Sequence, residues 1–190
     1  MHDKHKELFD LARPFLDTRE NDKHTRIAFQ FALRLLGEEA ADPAVVLPAV
    51  IVHDVGWKCV PEDVQLTAFG PGLKDWNLNR VHEVEGARIA SDLLKRAGYP
   101  QHVVEEIQEI VLGHDSRPEA LSLNDAVVKD SDKLWRYSEH GFWLSIKRFD
   151  LTYEHQQHRL RNNMEEWFLT PTAKRFAREE LELRAGESHK

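Results

Sequence analysis

Apolar residues in this 190-residue chain recur at helical spacing, and nowhere do apolar and polar residues alternate with period two for long enough to make a strand. That pattern leaves an all-α, single-domain helical bundle as the fold class. From His24 to Leu36, the residues Ile27, Phe31 and Leu35 share one face, Asn21 and Asp22 precede them as caps, and Gly37 ends the run. Asp42 and Pro43 supply an N-cap and a first-turn proline for the almost wholly apolar AVVLPAVIV, which closes on His53-Asp54-Val55-Gly56. The spacing predicts further helices over 81–98, 102–114 and 123–138, the last capped by Asn124, and three more over 142–149, 156–169 and 170–184, with Thr170 as a cap and Pro171 in the first position. Between Trp57 and Asn79 the periodicity fades around Pro61 and Gly70-Pro71-Gly72, so an irregular connection with at most short helical turns is expected. A connection of that length is more often functional than idle.

The length suits one domain over 1–190, with a motif-bearing core at about 20–140 and added C-terminal helices at about 141–190. A net charge of -7 excludes a dominant basic footprint, so a nucleic-acid partner is not expected and an anionic substrate must be met by local positive charge. The one cysteine, Cys59, cannot form an internal disulfide, and MHDKHKELFD lacks the apolar core of a signal peptide, which points to the cytoplasm. The longest apolar run, Ala44 to Val52, is far short of the ~20 residues a membrane span needs, so no membrane partner is expected.

Eleven histidines are many for such a chain, and the question is whether they converge. His2, His5, His155, His158 and His189 sit in terminal or polar runs and read as solvated. His24, His53-Asp54, His82, His114 and Asp132 instead fall near the ends of predicted helices. Imidazole nitrogens and carboxylate oxygens suit iron, manganese, zinc and related divalent ions. No thiolate accompanies them, which favours an open catalytic site over a closed structural zinc site. Neighbouring helical residues point about 100° apart, so His53 and Asp54 reach one ion only beyond the helix end, where the C-terminal dipole favours a cation.

His24, His53-Asp54 and Asp132, in that order, resemble the H…HD…D signature of the HD superfamily. VIVHDVGW is similar to that family's apolar helix ending in HD and a small residue. VVKDSDKL is similar to the helix bearing its last ligand, the Asp just before a basic-Leu pair, which selects Asp132 over Asp130. The resemblance covers about residues 20–140. His82 and His114 stand where binuclear members place two further histidines, so it implies two divalent ions: iron or manganese first, with cobalt, nickel, zinc and magnesium as alternatives. In that reading Asp54 bridges, His24, His53 and Asp132 hold one ion, and His82 with His114 hold the other. One departure is Trp57, where many binuclear relatives carry Lys; Lys58 follows one position later.

The resemblance implies phosphoester hydrolysis of a small molecule, a nucleotide or related phosphate, by a metal-activated water. Asp54, Asp115 and Lys58 are the expected catalytic residues, Asp115 as orienter or proton acceptor, and Asp130 could hold a ligand histidine. Arg80, Arg117, Lys133 and Arg136 are the expected phosphate binders. Two other readings use the same residues: an HD-type mixed-valent di-iron oxygenase, and a non-catalytic binding module with a vestigial site. A homodimer is left open. Trp57, Phe69 and Trp76 are read as packing, Trp135, Trp143, Trp167 and Phe168 as core or interface, and Cys59 as a small buried hydrophobe.

Overall fold

The computed structural model describes residues 3–68 and 75–187; Phe69 and Gly70-Pro71-Gly72, like His2 and His189, lie outside the described residues. Helices α1 (Asp3–Leu16), α2 (Asn21–Leu36), α3 (Pro43–Val52), α4 (Glu62–Gln65), α5 (Trp76–Arg96), α6 (Gln101–Val111), α7 (Leu123–Leu134), α8 (Glu139–Phe149), α9 (Tyr153–Trp167) and α10 (Pro171–Glu187) follow in order, with 3-10 segments at Val55–Cys59 and Trp135–Tyr137. No strand occurs among the described residues, as the all-α reading expects. None of these helices is long and apolar enough to cross a membrane.

The bundle is organised around α3. Asp42 accepts a hydrogen bond from the Ala44 N–H at 2.8 Å, Pro43 opens the helix, and every residue from Val45 to Val52 is buried. A helix apolar on all sides must sit inside, and α3 packs against α1, α2, α5, α6 and α7. One cluster of buried side chains runs from Leu8 on α1 to Leu181 on α10. A smaller one, Trp57, Val60 and Ala68, closes the connection after α3, where buried Gln65 donates to the carbonyls of Trp57 and Val60 and accepts from Thr18.

Several starts differ from the sequence expectation. Helix α1 carries Leu8, Phe9, Ala12 and Leu16 inward, a face the N-terminal polar residues obscure. Ser122, not Asn124, caps α7, because Asn124 turns its amide to Glu106. Helix α2 has no side-chain cap; Arg19 and Glu20 both take left-handed φ values, 50° and 61°, and swing the chain into the helix. The Thr170 cap and Pro171 start of α10 stand as expected.

One contact fixes how α5 meets the end of α3. A Cβ at Gly56 would lie 1.9 Å from the His82 carbonyl oxygen and 2.5 Å from the Gly86 nitrogen, so the two backbones touch through glycine. Gly56→Ala is expected to lower unfolding free energy by about 2 kcal/mol or more, because neither backbone can yield without moving a helix; urea unfolding at constant m-value checks this.

Candidate metal centre

Five of the helices, α2, α3, α5, α6 and α7, bring donors to one place. His24 comes from the first turns of α2, His53 and Asp54 from the carboxyl end of α3, His82 from the second turn of α5, His114 and Asp115 from the turn after α6, and Asp132 from the last turn of α7. The histidines, Asp54 and Asp132 are buried. The Asp115 side chain keeps 25% exposure.

Two pairs of ring nitrogens face each other: His24 Nε2 lies 3.0 Å from His53 Nε2, and His82 Nε2 lies 3.3 Å from His114 Nε2. The Asp54 carboxylate stands between them. Its Oδ2 is 3.3 Å from His24 and 3.7 Å from His53, while its Oδ1 is 3.6 Å from His114 and 4.0 Å from His82. Asp132 Oδ1 closes the first group at 3.3 Å from His24 and 3.5 Å from His53, and Asp115 Oδ2 closes the second at 3.6 Å from His82. Three sets could each hold a metal ion: His24, His53 and Asp132; His53, Asp54 and His114; His82, His114 and Asp115. His53 Nδ1–H and His114 Nδ1–H donate to the carbonyls of Val50 and Val111, both at 2.8 Å, the arrangement that leaves Nε2 as the ligating lone pair. The Nδ1 atoms of His24 and His82 are buried without a hydrogen-bond partner.

Charge explains why these groups fit a cation. Burial raises Asp54, but His53, His114 and His24 hold it well below the usual carboxylate range. Asp132 is likewise pushed up by burial and carried well below by Arg136, His24 and His53. Burial opposes charge on His114, yet the hydrogen bond to Asp54 and the nearby carboxylates raise it to about 10; burial and His114 lower its neighbour His82 to about 4. The other pair divides in the same sense, His24 lowered by burial and His53 raised against burial by Asp54 and Asp132. An all-nitrogen-and-oxygen donor set with ionised carboxylates suits iron, manganese and related divalent ions.

The centre forms the floor of a cleft lined by Arg19, Asn21, Trp57, Asp115, Trp135, Arg136, Ser145, Arg148, Phe149 and Arg159. An adjoining cleft shares Asp115, Arg136 and Arg159 and adds Arg117, Lys129, Lys133, Glu166 and Trp167. Of the expected phosphate binders, Lys133 and Arg136 therefore face the clefts. Arg117 does too, but it pairs with Asp125 at 3.0 Å. Arg80 is exposed and bonded to Glu83 and the Leu112 carbonyl, away from both clefts. Lys58 is exposed and donates to the Asp17 carbonyl at 2.9 Å, outside both linings. Asp130 holds no ligand histidine: it accepts from the Leu169 and Thr170 N–H groups and the Thr170 hydroxyl, capping α10. Cys59 is exposed rather than buried, since the 3-10 turn sends Trp57 and Val60 inward and Lys58 and Cys59 out.

Several contributors escape the sequence reading. Trp57 donates its indole N–H to Asp54 Oδ1 at 3.0 Å and stacks on His82 at a centroid distance of 4.0 Å, with the Arg19 guanidinium 4.2 Å from the centre of its ring. Buried Glu83 accepts from the N–H groups of Asp115 and Ser116, fixing the turn that carries His114. Arg148 and Arg159 come from α8 and α9, where no motif marks them; the only sequence signal for Trp57 is its place three residues after Asp54.

The HD domain family model matches residues 21–137, a span that holds His24, His53, Asp54, His82, His114 and Asp132 and stops before α8. No curated protein and no solved structure matches the chain.

Trp57→Phe keeps a ring against His82 and removes the donor to Asp54, so metal affinity measured by chelator competition is expected to fall about tenfold with cooperative unfolding retained. Because His114 is protonated at neutral pH in the metal-free chain and must lose that proton to ligate, metal binding is expected to release protons. Affinity should then drop about tenfold per released proton for each pH unit lowered, which calorimetry in buffers of differing protonation enthalpy measures.

Proposed function

The chain belongs to the HD domain family, and from that membership and the geometry of the centre we propose that it is a metal-dependent phosphohydrolase cleaving a phosphoester of a small molecule, a nucleotide or related phosphate. The observation that carries this reading is the division of the Asp54 carboxylate, with one oxygen toward His24 and His53 and the other toward His82 and His114. That arrangement fits two divalent ions sharing a bridging carboxylate. His24, His53 and Asp132 would hold one, and His82 with His114 the other, iron or manganese being the expected metals. Divalent ions bound there supply Lewis-acid polarisation and a water acidified to near neutrality.

The protein's own groups do the rest. Arg19 and Arg148, joined by a hydrogen bond from the Arg148 guanidinium to the Arg19 carbonyl, face the floor of the cleft and are placed to bind phosphate oxygens. Arg136 stays beside Asp132, its Nη1 at 3.7 Å from Oδ2, and steadies that carboxylate. Asp115 is held below the usual carboxylate range by His114 and His82 against the effect of burial, so it is ionised at neutral pH, as a proton acceptor must be. It also opens onto both clefts. Trp57, Trp135 and Phe149 wall the floor and limit access of bulk water.

Elemental analysis of protein purified without chelator or affinity tag is expected to give about two equivalents of metal per chain, falling in Asp54→Ala and His82→Ala, with phosphate release from phosphoesters reduced about a hundredfold or more. Phosphate release that persists without oxygen supports hydrolysis. Oxygen-dependent turnover without phosphoester cleavage would overturn it for a di-iron oxygenase, and tight nucleotide binding without turnover would leave a binding module.

A further inference from the structure

The cations around the two clefts are not equivalent. Arg117 and Lys129 both lie against Asp125, at 3.0 and 3.8 Å, and Arg80 against Glu83 at 3.1 Å, so their charges are answered within the fold. Among the described residues, Lys133 on α7 and Arg159 on α9 have no carboxylate at ion-pairing distance, and the Lys133 ammonium makes no hydrogen bond. Arg159 reaches only the Gln156 side-chain oxygen, at 3.1 Å. Arg136 and Arg159 lie over the same indole, 6.0 and 5.6 Å from the centre of the Trp167 ring, and both line both clefts.

Lys133, Arg136 and Arg159 therefore gather along the adjoining cleft in a chain whose net charge is -7, and of the three Arg136 alone has a carboxylate beside it, Asp132 at 3.7 Å. Like charges at this range repel, and burial strengthens the repulsion. Burial and the neighbouring Arg136 lower Arg159 to about 10. An anion seated among them removes the repulsion, and two guanidinium forks beside an ammonium match the several oxygens of a phosphate better than the two of a carboxylate.

We propose that the substrate carries a second phosphate, held by Lys133, Arg136 and Arg159 in the adjoining cleft, while the phosphate to be cleaved lies over the histidine centre beside Arg19 and Arg148. The substrate class is then an organic polyphosphate or bisphosphate rather than a simple monoester. This assignment rests on the phosphohydrolase reading for the identity of the first group. Lys133 and Arg136 lie inside the matched family span and Arg159 outside it, so the second subsite is completed by a residue that the family pattern leaves undefined.

Two non-ester probes test it by calorimetry on the full chain at fixed metal loading and ionic strength: methylenediphosphonate, with two phosphoryl groups, and methylphosphonate, with one. The wild type is expected to bind the diphosphonate at least about tenfold tighter, and Lys133→Gln and Arg159→Gln each to lose most of that preference with metal content unchanged. Arg159→Lys, which keeps the charge and loses the fork, should fall between, and it serves if the glutamine variant does not fold. A preference retained in every variant, or absent from the wild type, overturns the proposal. So does tighter methylphosphonate binding on adding orthophosphate, which would put a separate phosphate in the cleft. Because neither probe contains an ester, failure of the hydrolase reading would appear separately, as no phosphate release from esters with the diphosphonate preference intact.

Discussion

Asp54 follows a helix that is apolar on every side, so its charge is carried with that helix into the middle of the molecule. An ionised carboxylate in such a place costs on the order of several kcal/mol unless donors or cations surround it. The answer comes from every direction: His24 from α2, His53 from its own chain, Trp57 from the following turn, His82 from α5 and His114 from beyond α6. Asp132 and Asp115 add further negative charge to the same space, and His53 and His114 are both shifted toward their protonated forms by the carboxylates around them. The negative charge gathered there is also the attraction a divalent ion would feel, so folding and metal binding draw on one electrostatic source.

Much of this was legible in the amino-acid sequence because periodicity and composition are local properties. The wholly apolar run before His53-Asp54 announces a buried helix, and the Asp42-Pro43 start and Thr170-Pro171 start are read directly from residue type. The ordered histidines and aspartates likewise name their donors, and the choice of Asp132 over Asp130 agrees with where the two side chains lie. What could not be read depends on which surfaces meet. Lys58 adjoins Trp57 in sequence yet points out of the molecule, whereas Trp57 faces Asp54, because a 3-10 turn sets their directions. Asp130 caps a helix 40 residues away, and Arg80 is taken by Glu83. The first pairing leaves no periodic trace, whereas the second is an i, i+3 pair on one helix whose claim on Arg80 the spacing could have signalled.

The chain divides its work along its length. The span that matches the family supplies every donor of the centre, whereas α8 and α9, beyond that span, contribute Ser145, Arg148, Phe149 and Arg159 to the wall above it. Ligands must converge within hydrogen-bonding distance, which restricts both residue type and helix geometry. A wall that meets the substrate is freer, since side chains of several lengths can reach into an open cleft.

The turn before α2 places opposite demands on a single residue. Arg19 holds a left-handed backbone at φ 50°, where a side chain other than glycine costs about 1–2 kcal/mol, and the same residue puts its guanidinium over Trp57 at the mouth of the cleft. A glycine or asparagine would relax the turn and leave the cleft one cation poorer. Arg19→Gly would therefore exchange a cleft cation for a relaxed turn, so stability and the charge of the cleft are set against each other at one position.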